Sequence, residues 1–485
     1  MPTLPSVHGA LRGSEDPRSS RNFEGRFGRM FRNLSPARFK EDDLLELGKR
    51  MISKAKKIDE TEADLDENRK IPAGYTYLGQ FVDHDLTFDP ASSLQRDNDP
   101  QALVNYRTPR FDLDCVYGRG PQDQPYLYRR DGVRMLLGAP LENGSWDVPR
   151  SSPPEGVDEP ARAIIGDPRN DENVIITQLH ALFLRFHNRM AEEQKMAGSN
   201  KADFETVQQL VRWHYQWVVL DDFLRKVVNE QTYDDVLPHV RRKSNPYEHP
   251  PKLRFYKPKD NAYIPIEFSA AAYRFGHSMV RPQYRLNSDD RPAVGGPFPI
   301  LSGNPGSDAL TGFNAFQTTW GIEWHLFFEG ISPTAQKPRT RDRVQYSYKI
   351  DTQLAEPLGD LPFAFTRDQR SLALRNLIRG SRLGLPSGQA VADAMAVQQK
   401  LRPEIDPPFE TEAPLWYYVL AEAEQKFAGE TLGPVGGRIV METFVGLMME
   451  DGHSLLRQNP LWKLGEHYGM AEFVRFATGQ PATAK

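Results

Sequence analysis

The sequence predicts a mainly α-helical protein with long ordered loops and a few short hairpins. Three observations lead to this fold class. Two long segments repeat apolar residues at three- and four-residue spacing. The strict apolar–polar alternation of a half-buried strand is scarce. Proline-rich stretches at 148–160, 236–258 and 281–305 read as long loops between the helices.

In chain order, residues 1 to about 40 are rich in Gly, Ser, Arg and Pro and read as an irregular arm over the surface. Residues 41–57, EDDLLELGKRMISKAKK, begin acidic and end basic, the order that suits a helix dipole. In 171–195 the apolar residues Ile175, Ile176, Leu179, Leu182, Phe183, Phe186 and Met190 fall on one helical face. Residues 203–229 do the same with Val207, Leu210, Val211, Trp217, Val218 and Phe223. No internal repeat is present.

Bulk properties narrow the function classes. A chain of 485 residues can bury a large core and enclose a cofactor. A formal charge of -4 offers nothing to nucleic acid. Mean hydropathy of -0.60 and the lack of any apolar run near about 20 residues argue against a membrane span. Cys115 is alone, so no internal disulfide forms, which favours a reducing compartment or a fold that needs no staples. The N-terminal MPTLPSVHGALRGSEDPRSS has neither a basic nor an apolar signal region. The expectation is a cytoplasmic protein or one exported by a non-classical route. Oligomeric state is left open.

Four segments carry candidate chemistry. The first, GYTYLGQFVDHDLTFDP at 74–90, holds Gln80, Asp83, His84 and Asp85 among apolar residues. These read as metal ligands, as an acid/base group with neighbours, or as a polar helix start; titratable groups among apolar neighbours need partners. The second, IIGDPRNDE at 164–172, sets Arg169 at a helix start. There it either meets a developing negative charge or pairs with a local carboxylate. The third, AAYRFGHSMVRP at 271–282, has His277 in an apolar, helix-like stretch; a lone histidine of this kind is a core residue or a ligand. Gly276 beside it lets a flat group approach the backbone. The fourth, LALRNLIRGSRLGLPSG at 372–388, puts Asn376 and Arg379 one turn apart before a Gly-Leu-Pro stop. There is no Walker loop, HExxH, GxSxG or cysteine-rich metal site.

Taken together and in order, GQFVDHD, GDPRNDE followed by LHALFLRFHNR, YRFGHSMVRP and NLIRGSRLGLP resemble the signature of the animal haem peroxidase family, whose relatives include cyclooxygenases and fatty-acid α-dioxygenases. The resemblance runs from about residue 66 to about 460. It implies an N-terminal arm plus helix at 1–65 and a catalytic domain at 66–485, with central helices around a buried haem b. It implies that His84 is the distal acid/base, Arg169 the distal arginine and Gln80 the glutamine that orders water or a halide. His277 is implied as the iron ligand, Asn376 as its hydrogen-bond partner, and Arg274 and Arg379 as partners of the haem propionates. Asp83 and Glu172 match the carboxylates that form ester links to haem. Asn173 stands where a methionine would make a third link, so none is expected. Asp85, with Thr108, Asp112 and Asp114 and the carbonyl of Arg110, matches a calcium site, and oxygen donors suit that ion.

Two departures matter. The oxygenases have a radical-forming tyrosine three residues before the proximal histidine. That position is Arg274 here, and Tyr273 is one residue out of register, a turn of about 100° on an α-helix. Thr87 stands where a carboxylate near a propionate is usual. The implied activity is reduction of hydrogen peroxide through a ferryl intermediate, with small phenols or other aromatics, halide or thiocyanate as donors. The alternatives are a fatty-acid dioxygenase of the same fold and a non-catalytic haem- or calcium-binding module. The stretch 313–329, FNAFQTTWGIEWHLFFE, resembles a core helix of the family, with His325 structural.

Overall fold

The computed structural model describes residues 25–480, apart from 55–63, 89–103, 154–155, 158, 197–202, 242–244, 260, 303–307, 334–341, 363–369 and 466–467. The expected arm before residue 25, and residues 55–57 of the first expected helix, lie outside the described residues.

The described chain begins with β1 (Gly25–Gly28). α1 (Glu41–Arg50) follows, with three acidic residues in its first turn and Lys49 and Arg50 in its last. β2 (Glu67–Pro72) leads directly into α2 (Gly74–Leu86). Glycine is needed at that start: a Cβ on Gly74 would lie 2.4 Å from the Phe328 ring and 2.6 Å from the Phe327 carbonyl. After β3 (Val104–Asn105), a 3-10 turn at Pro168–Asp171 opens onto the long α3 (Val174–Met196). All seven apolar residues that define its predicted face are buried. α4 (Phe204–Trp217) is capped by Asp203, whose side chain accepts from the Thr206 N–H. It continues through a π turn at Val218–Phe223 into Leu224–Val227, so the predicted 203–229 helix exists with one widened turn. α5 (Glu230–Val236) closes this half.

Next come β4 (Ile264–Pro265), β5 (Gln283–Tyr284), β6 (Phe298–Pro299) and β7 (Tyr346–Tyr348). β1 pairs antiparallel with β3 and parallel with β4; β2 pairs antiparallel with β7; β5 pairs antiparallel with β6. Two expectations are corrected here. The His277 segment is a 3-10 turn at Ala272–His277, not an α-helix. The stretch 313–329 is no continuous helix but two 3-10 turns, Thr318–Trp320 and Trp324–Leu326. Between them Gly321 is extended and so close to the Glu142 backbone that a Cβ would sit 1.9 Å from its carbonyl oxygen. The aromatic residues of this stretch serve burial without needing a helix.

The C-terminal part is helical: α6 (Leu372–Arg382), α7 (Gly388–Ala394), α8 (Leu415–Phe427), α9 (Pro434–Glu450) and α10 (Met470–Thr478). α9 is buried on nearly every face from Val435 to Met448, as a helix with apolar residues around most of its circumference must be. Phe81 of α2 stacks on Phe183 of α3 at 4.3 Å, and Phe186 stacks on Phe473 of α10 at 3.9 Å. Each such buried ring contributes about 1.5–3 kcal/mol. The N-terminal segment is tied into this core. The buried Glu267 carboxylate accepts the Met30 and Phe31 N–H groups at 3.0 and 3.1 Å. Arg29 donates to the carbonyls of Gly384 and Leu383 at 2.8 and 2.9 Å, just beyond the end of α6. Among the described residues, no helix is long and apolar enough to cross a membrane.

Candidate active site

A cavity of about 290 Å³ receives side chains from α2, from the turn before α3, from the 272–277 turn and from α6. α2 supplies Gln80, Asp83 and His84. Residues 80 and 84 are one helical turn apart and share a face, whereas Asp85 points elsewhere. His84 is buried. Burial first, and then the nearby Arg169 charge, lower its pKa to about 4. It is therefore a neutral imidazole at neutral pH, the form in which it accepts a proton. Its Nδ1 lies 2.8 Å from Asn170 Oδ1.

Glu172 and Asn173 line the same cavity. Burial pushes Glu172 up to about 7, against the opposing influence of Arg169 and the Gln80 amide. Gln80 Nε2 donates to Glu172, and its Oε1 accepts from Asn173 Nδ2 at 3.5 Å. Asp83 accepts from the Thr87 hydroxyl at 3.1 Å. Arg169 is not among the cavity-lining residues. Its Nε and Nη2 hold Asp167 at 3.1 and 2.8 Å, and Nη2 also donates to the His84 carbonyl at 3.0 Å. None of these bonds uses Nη1. Arg169 thus does pair with a local carboxylate, while its charge still lies close enough to influence His84 and Glu172.

His277 lines the cavity from the 272–277 turn. Burial, then Arg274 and Arg375, lower its pKa to about 3, leaving a neutral ring able to ligate a metal. Its Nδ1 is 2.7 Å from Asn376 Nδ2, and Asn376 Oδ1 accepts from Arg274 Nη1 at 3.2 Å. For Asn376 to accept the His277 ring N–H instead, its amide turns over and Arg274 releases it. Arg274 also donates to the Ser269 carbonyl at 2.9 Å. Burial, followed by the repulsion of Arg379, lowers its pKa to about 10.

The residues present fit a flat, dianionic, iron-bearing group. Gly276 lines the cavity, and among the described residues a Cβ built on it meets nothing within 4 Å, so the backbone there is open to a planar ligand. Arg274 and Arg375 bring two guanidinium groups to one cavity. Arg375 is half-buried with no side-chain hydrogen bond or ion pair among the described residues, a costly state without an anionic partner. Arg379, expected in this role, lies one turn further along α6, outside the cavity lining. The signal for Arg375 was its i, i+4 spacing from Arg379, which sets both on one face.

On the other side of α2, carboxylate oxygens of Asp85, Asp112 and Asp114 all lie within 4.8 Å of one another. Among the described residues, Asp85 Oδ1 and Asp114 Oδ1 are buried without a hydrogen bond. Burial, and for Asp85 the neighbouring Asp112, push both carboxyls above the usual range. Three crowded carboxylates, with Asp85 Oδ1 left bare, fit a hard cation. Thr108 joins them by donating to Asp112 Oδ2 at 2.7 Å, and Arg110 lies in the same loop. Leu113 adopts φ 58, a left-handed conformation that costs a side-chain-bearing residue about 1–2 kcal/mol. It bends the loop so that residues 112 and 114 both reach Asp85. Arg107 intrudes, with Nη1 3.3 Å from Asp114.

The animal haem peroxidase family model matches residues 91–387, more than half of the chain. The chain belongs to the animal haem peroxidase family. The matched span contains Arg169, Glu172, His277 and Asn376 but begins after α2. Among animal haem peroxidases, the chain is 28% identical to thyroid peroxidase of Sus scrofa over 306 residues, 59% of this chain and 30% of that protein. It is 26% identical to peroxidasin of Drosophila melanogaster over 303 residues, 58% of this chain and 18% of that protein. The match therefore spans less than a third of the length of either relative. In fold, the chain is similar to peroxidase A from Dictyostelium discoideum, with a TM-score of 0.62, 16% identity and coverage of 94% and 93% of the two chains. It is also similar to a fatty acid alpha-dioxygenase from Oryza sativa, with a TM-score of 0.56, 14% identity and coverage of 92% and 78%. The mainly helical architecture is that of this fold.

Proposed function

We propose that this chain is a haem peroxidase that reduces hydrogen peroxide and oxidises small aromatic donors, halide or thiocyanate. The observation that supports it most is the pair of neutral imidazoles, His84 and His277, that line one cavity from two different elements. Haem, when bound, supplies the redox centre that takes two oxidising equivalents from peroxide and passes them to the donor. His277 would hold the iron. Arg274, Arg375 and Arg379 would meet the propionates, where guanidinium forks suit carboxylates. Asp83 and Glu172 would form the ester links. His84 accepts a proton from peroxide and returns it to the departing oxygen. Arg169 supplies positive charge where the oxygens separate. Gln80, held by Glu172 and Asn173, orders a water or halide. Asp85, Thr108, Arg110, Asp112 and Asp114 would hold calcium, anchoring the residue next to His84.

A second reading, a fatty-acid dioxygenase, gains from one feature. Tyr273 lines the cavity after all, because its segment is a 3-10 turn, in which the register of an α-helix does not apply. Against it, the Tyr273 hydroxyl is committed to the Gly79 carbonyl at 3.1 Å, and burial raises its pKa well above the ordinary value. The test is an absorption spectrum of the haem-loaded chain before and milliseconds after hydrogen peroxide. A Soret band that shifts and then recovers with a phenol or iodide supports the peroxidase. Oxygen uptake with a fatty acid instead supports the dioxygenase. Bound haem that ignores both would leave a non-catalytic module.

A further inference from the structure

We propose that Asn170 is the positioning residue for His84, and that Asn170 and His180 together set which ring nitrogen of His84 is free to act as the base. The purpose of this relay rests on the peroxidase reading; its geometry does not. Asn170 sits in the 168–171 turn, beside Arg169, with its backbone N–H on the Asp167 carbonyl at 3.1 Å. It is fully buried, as is His180 of α3. Its side chain joins two histidines: Oδ1 lies 2.8 Å from His84 Nδ1, and Nδ2 lies 3.1 Å from His180 Nδ1.

An amide oxygen only accepts and an amide nitrogen only donates. With Oδ1 on His84, the ring proton of His84 sits on Nδ1. An imidazole with its one proton on Nδ1 has its lone pair at Nε2. That is the nitrogen left to act on a bound molecule. With Nδ2 on His180, the His180 Nδ1 accepts and its proton sits on Nε2. Burial keeps this ring neutral too. An asparagine held by one ring alone could turn over and donate to His84, moving the His84 proton to Nε2 and removing the base. Its second contact, to a ring packed edge-on against Phe81 at 6.1 Å, means that a turnover requires both imidazoles to exchange tautomers. Among the described residues His180 Nε2 has no hydrogen-bond partner, so the relay ends in the core at that ring.

The test has two arms. In the full-length chain labelled with 15N at histidine, long-range 15N–1H correlations should report His84 protonated on Nδ1 and His180 on Nε2, with the His84 preference lost in Asn170→Leu. In the haem-loaded chain, hydrogen cyanide must surrender its proton to the distal base as it binds. Asn170→Leu should slow that association by about 10- to 100-fold, the usual cost of removing a partner that orients a functional imidazole. Asn170→Asp, which keeps an acceptor toward His84, should restore most of the rate. A wild-type His84 protonated on Nε2 overturns the proposal. So does unaltered cyanide binding in Asn170→Leu, or an Asn170→Asp rate no better than that of the leucine variant. If Asn170→Leu does not fold, the wild-type tautomers and the Asn170→Asp rate still decide. A chain that takes up no haem would sink the peroxidase reading while the tautomers still judge the relay.

Discussion

Replacing Gly276 by alanine should leave the haem-free fold intact and weaken its hold on haem. A Cβ at this position meets no atom of the described residues within 4 Å, and Gly276 is not among the residues with positive φ. The methyl group therefore introduces no strain. It also restricts the unfolded chain, which adds about 0.4–1 kcal/mol of stability. Yet Gly276 lines the cavity, so the new methyl projects into the space a flat ligand would take. Forcing one extra methyl into a packed contact costs about 1–3 kcal/mol. That corresponds to about 5- to 150-fold in the haem dissociation constant. Valine, larger and β-branched, should cost more. Thermal unfolding of the haem-free chain and spectrophotometric haem titration read the two effects separately. A lower melting temperature in haem-free Gly276→Ala would mean that the space is not open. Unchanged haem affinity in both variants would mean that no planar group comes against this backbone, and the placement of haem beside His277 would fall with it.

Four further outcomes are expected. His277→Ala should abolish stable haem binding; a surviving five-coordinate, histidine-ligated spectrum would refute its assignment as the iron ligand. His84→Ala should keep haem but slow the reaction with peroxide by about 10²–10⁴-fold, and stopped-flow traces matching wild type would remove it from the chemistry. After peroxide turnover, acidic solvent should extract haem from the Asp83→Asn/Glu172→Gln double variant and not from wild type; full extraction from both defeats the ester proposal. Calcium at about 100 times its dissociation constant should stabilise the chain by roughly 2.7 kcal/mol. That gain should disappear with chelator and in Asp85→Asn, and a melting temperature indifferent to calcium would remove the ion from the site.

Much of the architecture was legible because periodicity reports burial. The α3 face from Ile175 to Met190 and the Gln80–His84 spacing on α2 needed only a 3.6-residue repeat. Other features depend on neighbours far apart in sequence. The segment 272–277 has an apolar pattern that suits either helix type, and its tighter turn brings Tyr273 to the cavity. The aromatic run 313–329 looks helical until Gly321 is seen against Glu142. α9 shows no one-sided repeat because its apolar residues fall around most of its circumference. Among site residues, Arg375 was hidden by its neighbour Arg379, since sequence alone does not say which turn of α6 meets the cavity. Asn170 had no local signal: its partners His84 and His180 lie on two different helices.

The clasp formed by Arg29 and Glu267 bears on how this protein is handled at the bench. Arg29 neutralises carbonyls just past the C-terminal end of the helix that carries Arg375, Asn376 and Arg379, while the Met30 and Phe31 amides engage a carboxylate that has little else to bind. A shortened expression product starting near residue 66 would strip both at once. It would leave an anion stranded in the interior and the end of α6 unfastened, on the very element that presents positive charge to the cavity. Poor cofactor loading of such a product would then reflect a lost buckle, and would say nothing against the residues of the site.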